Sequence, residues 1–129
     1  MKTFLSPKPT DGELAILRVL WERGPSTVRQ VMDALCRVHP TGYTTALKQM
    51  QIMTEKGLLR REEAGRLHIY EAARAEQETQ RQLVGHLLDR AFGGSTEKLV
   101  LQALAAKKAT PGELADIRRL LARMERASQ

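Results

Sequence analysis

Apolar residues recur at three- and four-residue intervals in several separate stretches of the chain, and helix-breaking residues punctuate the gaps. In "TDGELAILRVLWERGP", Leu14, Leu17, Leu20 and Trp21 lie on one helical face. Thr10 stands three residues before Glu13, the spacing of a capping box, and Gly24-Pro25 ends the run. Trp21 is expected to anchor this first helix in the core. Ser26 or Thr27 can open a second helix, "TVRQVMDALCRV", striped by Val28, Val31, Met32 and Leu35 and broken by "HPTG".

The third stretch, "GYTTALKQMQIMTEKGLLRR", divides cleanly by face. With Thr44 at zero and about 100° per residue, Ala46, Leu47, Met50 and Met53 cluster on one side. Thr44, Lys48 and Gln51 lie opposite, with Thr45 on the flank, and Gly57 stands where a helix C-terminus wants glycine. The period then changes. Leu58–Glu62 and Leu67–Glu71 read as paired strands around an "EEAGR" turn, which predicts Arg60, Arg61, Arg66 and His68 on or near a hairpin tip.

From Ala75 the helical period returns. Leu83, Val84, Leu87, Leu88 and Phe92 form one stripe, stopped by Gly93-Gly94. Leu99, Val100, Ala103 and Leu104 form a second, predicted to face inward. Leu114, Ile117, Leu120, Leu121 and Met124 form a third, behind Thr110, Pro111 and Glu113, a capping box with proline at the first helical position. About 55 residues of three helices is near the lower limit for a self-sufficient core, so a second copy of the chain is expected to cover these stripes. The fold class that follows is mainly α. Residues 1–73 make a winged helix (three helices plus a β-hairpin wing), and residues 74–129 make a three-helix dimerisation region.

Composition adds a partner. The chain has 129 residues and a formal net charge of +6, which points first to nucleic acid. Residues 1–74 hold twelve basic and eight acidic residues, against nine and seven in the remainder, so the excess leans toward the winged helix. In a helix-turn-helix the second helix enters the major groove amino end first. Thr44 and Thr45 can donate, accept, or touch a thymine methyl, and Lys48 can reach a guanine edge or a phosphate. Hairpin arginines would hold phosphates and fix register without reading sequence. Tyr43 and Tyr70 are assigned to packing or phosphate contact.

Other chemistries find little support. Cys36 is the single cysteine, which excludes a disulfide framework and favours a reducing cytoplasm. Cys36 and His39 lack further ligands, so they read as a small buried thiol and a surface histidine, and no metal or cofactor is expected. There is no nucleophile–base set and no phosphate loop, which argues against an enzyme. No apolar run reaches the roughly 18 residues of a membrane span, and "MKTFLSPKPTDGE" has no signal-peptide core, so the expected location is cytoplasmic without membrane insertion.

Four blocks, "ELAILRVLWERGPSTVRQV", "GYTTALKQMQIMTEKGLL", "EEAGRLHIYEA" and "DRAFGGSTEKLVLQAL", together resemble the penicillinase-repressor family of the BlaI/MecI type from about Pro9 to Met124. The resemblance implies a homodimeric transcriptional repressor of palindromic operators, often with TACA/TGTA half-site cores. Family base contacts fall on Thr44, Thr45 and Lys48, with Tyr43 near the backbone and Gln51 on the same face. Leu47 stands where a related repressor carries arginine. Dimer contacts fall on the C-terminal stripes: Leu83, Leu87, Leu88, Phe92, Leu99, Val100, Leu104, Ile117 and Leu121. In the best-known members a membrane metallopeptidase sensor of β-lactams leads to cleavage of an Asn-Phe bond, and Gln102-Ala103 occupies that place here. The C-terminal cysteine cluster of copper-responsive relatives is absent. Two other classes compete: a helical protein-interaction adaptor, and a DNA binder without sequence preference.

Overall fold

The computed structural model describes residues 8–128. The N-terminal stretch before Lys8, part of the expected coil, lies outside the described residues. Six helices and one hairpin follow in order: α1 Asp11–Arg23, α2 Val28–Leu35, α3 Tyr43–Glu55, β1 Leu59–Ala64, β2 Leu67–Ala72, α4 Glu76–Ala91, α5 Thr96–Ala106 and α6 Pro111–Ala127. Two compact units result, one through Val84 and the other from Gly85, so the division falls inside α4.

The helix starts are set by local hydrogen bonds. Thr10 Oγ1 accepts from the Glu13 amide at 3.2 Å while Glu13 Oε1 accepts from the Thr10 amide at 3.0 Å. Thr27 and Gln30 repeat the reciprocal pair at α2 with 3.2 and 2.9 Å, which settles Thr27 as the cap. Ser26 is buried instead, and its backbone exchanges two hydrogen bonds with Tyr70 at 2.9 and 2.8 Å. That bridge ties the α1–α2 turn to the wing. The end of α3 is closed by two backbone bonds, Leu58 N–H to the Met53 carbonyl at 2.9 Å and Gly57 N–H to the Thr54 carbonyl at 3.1 Å. They require the left-handed backbone that Gly57 supplies at φ 84°.

Helix α2 stops at Leu35, before the expected "CRV" tail. Val38 is 76% exposed, so its burial adds little to a longer helix, and Pro40 biases its neighbour away from helical backbone. The hairpin differs from expectation as well. Its strands run on through Ala64 and from Leu67 to Ala72, with Ala64 opposite Leu67, so the turn is Gly65-Arg66 alone. Glu62 and Glu63 are strand residues because a glycine with φ 66° allows a two-residue turn.

The core of the first unit joins Ile16, Leu17 and Leu20 of α1, Val28 and Val31 of α2, Ala46, Met50 and Met53 of α3, and Leu58, Leu59 and Tyr70 of the wing. Trp21 is not among them: it packs half-exposed at the edge, its indole N–H donating to the Arg74 carbonyl at 3.0 Å. The indole N–H needs a partner, which holds the ring at the rim. Lys56 closes the other side, 2.7 Å from the buried carboxylate of Glu13. Burial pushes the Glu13 pKa up, but Lys56 and the Thr10 amide outweigh it and hold it below its ordinary value.

Tyr70 is fully buried and its hydroxyl has no hydrogen-bond partner among the described residues. Such an orphan carries a desolvation cost, so Tyr70→Phe is expected to stabilise the protein by about 1 kcal/mol. Urea unfolding of the two chains checks this; a destabilised phenylalanine variant would mean the hydroxyl is satisfied.

In the second unit no residue of α5 or α6 is fully buried. Leu99 and Ile117 are half-buried, while Val100, Leu104, Leu114, Leu120, Leu121 and Met124 are exposed. The expected inward stripes are therefore not closed by the described residues. Among the described residues α5 and α6 do not pack broadly on one another, and a segment this small cannot cover its stripes alone.

Candidate nucleic-acid interface

The buried face of α3 fixes the direction of the opposite one. Ala46, Met50 and Met53 are locked in the core, so Thr44, Lys48 and Gln51 are presented to solvent, and all three are exposed. Thr45, also exposed, is shared: it lines an open groove of about 630 Å³ with Gln49, Gly12 and Ala15. Tyr43 is 45% exposed at the first position of α3. Its N-cap, Gly42, has no side chain to offer the first-turn amides, unlike the threonine caps of α1 and α2. The positive end of the α3 dipole is thus left uncapped by protein at the end that carries Tyr43, Thr44 and Thr45.

The wing is less basic than its sequence suggested. Between Arg60 and Glu71 three arginines meet three glutamates. Arg60 and Arg61 are at the base of the hairpin, opposite Glu71 and Tyr70, and not at its tip. The longer strands and the two-residue turn account for that shift. Arg60 is also engaged, with Nε 3.2 Å from Glu71 Oε1 and Nη1 3.3 Å from the Ala73 carbonyl. Arg66 does form the tip. His68 lies one pair from the turn residues, 3.8 Å from Glu63. Among the described residues, Arg61 and Arg66 are the wing cations without an ion pair.

One expectation narrows and another changes. Tyr70 is a packing residue, because full burial in the core removes it from any phosphate. Cys36 is exposed and not buried, since α2 ends before it; its thiol donates to the Thr41 carbonyl at 3.3 Å and accepts from the Thr41 amide at 3.4 Å. One residue escaped the sequence reading altogether. Arg29, near the start of α2, places its guanidinium carbon 5.7 Å from the centre of the Tyr43 ring. No spacing rule connects residues 29 and 43; only the crossing of α2 and α3 brings them together.

In the C-terminal unit, Gln102 and Ala103 are exposed within α5, so the bond between them lies in helical backbone. Among the described residues no helix is long and apolar enough to cross a membrane.

Comparison with known proteins places this geometry. The solution structure of the monomeric form of Bacillus licheniformis BlaI in complex with the blaP half-operator is similar to this chain, with a TM-score of 0.50 and 22% identity over 57% of this chain and 90% of that one. A solution structure of the DNA-binding domain of the repressor BlaI is similar with a TM-score of 0.51 and 21% identity, over 59% and 93%. Both establish the winged-helix fold of the first unit. The comparison with curated proteins returned no match. The model of the penicillinase repressor family matches residues 9–123, and with nearly the whole chain aligned, the protein belongs to that family of DNA-binding transcriptional repressors.

Proposed function

We propose that the chain acts in the cytoplasm as a homodimeric repressor, inserting α3 of each protomer into the major groove at one half of a palindromic operator. The observation that carries this reading is the exposed polar face of Thr44, Lys48 and Gln51, backed by a core that leaves α3 no freedom to turn it away. Thr44, Thr45, Lys48 and Gln51 read base edges, Tyr43 meets the backbone, and Arg61 and Arg66 hold phosphates. The BlaI structure with a half-operator supports the reading by its fold. The unclosed stripes of α4 to α6, carrying Leu83, Leu87, Leu88, Phe92, Leu99, Val100, Leu104, Ile117 and Leu121, support dimerisation through the C-terminal helices.

Derepression follows from the same arrangement. A cut at Gln102-Ala103, made through a membrane metallopeptidase sensor, would separate α6 from the rest and dissolve the shared core. Because that bond is helical, its cleavage depends on α5 opening first, and its rate tracks the population of the opened helix.

The test is binding at fixed salt to the duplex just upstream of the protein's own gene and to a scrambled duplex of equal length. Preference for the first supports a repressor. Equal affinity supports a DNA binder without sequence preference, and no binding to either supports an adaptor. Within this assay the two wing arginines should behave differently. Arg66→Ala is expected to lower the slope of log affinity against log salt by about one unit. Arg60→Ala should leave the slope unchanged, because Glu71 already neutralises that side chain. Equal slopes for both variants and the parent would remove the wing tip from the contacts.

A further inference from the structure

We propose that Arg29 and Tyr43 together form a single phosphate-binding unit beside the amino end of α3, with the ring as platform and the guanidinium as ligand. The proposal rests on the reading that α3 enters DNA, and it adds a residue outside α3 and the wing. Three observations carry it.

The first is geometry. At 5.7 Å from the ring centre the guanidinium is within cation–π range. The N–H groups of a guanidinium lie in its plane, so a cation–π contact leaves donors for another ligand, and two of them match two oxygens of one phosphate. The ring contact also limits the rotamers of a long side chain before the ligand arrives, which is preorganisation.

The second is that Arg29 is uncommitted. Lys56 is held by Glu13, Arg60 by Glu71 and Arg119 by Asp116. Among the described residues no carboxylate pairs with Arg29, including Asp33 one turn along α2. Its positive charge is therefore available to an anion from outside.

The third is the exposure of the ring. Trp21 and Phe92 are half-buried and Tyr70 is fully buried, whereas Tyr43 is exposed and lies within cation–π range of Arg29. Residue 29 is the second of α2 and residue 43 the first of α3, so the unit sits where the two helix starts converge. If α3 enters the groove amino end first, a sugar-phosphate strand must pass this point.

The test is fluorescence anisotropy over a salt series with the upstream duplex and the scrambled one. Arg29→Ala is expected to weaken binding about tenfold on both duplexes and to lower the salt slope by about one unit. Tyr43→Phe, which keeps the ring, should lose less affinity than Tyr43→Leu, which removes it. Tyr43→Leu should weaken binding, but by less in an Arg29→Ala background than in the parent, because the two act as a unit. Each variant should melt like the parent, as both side chains are exposed. An unchanged slope and affinity for Arg29→Ala, with the parent binding DNA, overturns the proposal alone. So do losses for Arg29→Ala and Tyr43→Leu that simply add, or a loss confined to the upstream duplex, which would mark a base contact. A parent chain that binds neither duplex overturns the reading of α3 as well.

Discussion

A chain carrying Leu121→Glu is expected to sediment as a monomer and to lose on the order of 10²–10⁴ in affinity for a two-half-site operator, with its affinity for a single half-site unchanged. Leu121 is 53% exposed in α6 and belongs to a stripe with Ile117 and Met124. A carboxylate in the middle of that stripe must be desolvated if a second copy covers it. In a monomer the same residue is simply solvated, so the first unit keeps its fold. The two arms of the experiment separate dimerisation from DNA contact: the half-site measures one winged helix, and the full operator measures the link between two. Sedimentation identical to the parent would mean that α6 does not hold the dimer.

The second large effect is expected at Lys48. Lys48→Ala should weaken binding to the upstream duplex by roughly 1–3 kcal/mol, or about 5- to 150-fold, if the ammonium reads a base. The side chain is exposed and forms no ion pair among the described residues, so stability should change by no more than about 0.5 kcal/mol. The scrambled duplex serves as the internal reference. A loss equal on both duplexes assigns Lys48 to phosphate, whereas a loss on the upstream duplex alone assigns it to a base edge. No loss on either would remove α3 from the interface.

These expectations come from residues whose signals are local. The Thr10–Glu13 box, the stripe of Ala46, Met50 and Met53, and the glycine at 57 each act through hydrogen bonds or a helical period that a few neighbouring residues define. Such features are legible in a sequence, and with them the exposed face of α3. What escaped depended on partners distant in the chain. The pairing of Arg60 with Glu71 follows from strand register, and that register turned on whether Glu62 and Glu63 joined the strand or the turn. Tyr70 was open between packing and phosphate contact, and the residues of α1, α2 and α3 that bury it lie far from it in the chain. Cys36 changed from buried to exposed because α2 ended one residue before it. The contact of Arg29 with Tyr43 needs the crossing of two helices and has no counterpart in periodicity.

The C-terminal helices make the complementary point. Their apolar stripes were plain in the sequence, but a stripe reports only that something covers it. Among the described residues nothing does so for Leu121 and Met124, which are 53% and 59% exposed. The physical argument for a second copy is this mismatch between apolar surface and the amount that three short helices can enclose.

Occupancy of the major groove by the Thr44, Lys48 and Gln51 face of α3 can be read by methylation protection at guanine N7, which lies in that groove. On the duplex upstream of the protein's own gene, the parent chain should protect two symmetric groups of guanines about one helical turn, or a multiple of it, apart. Tight binding that leaves every guanine N7 open to methylation would contradict the account.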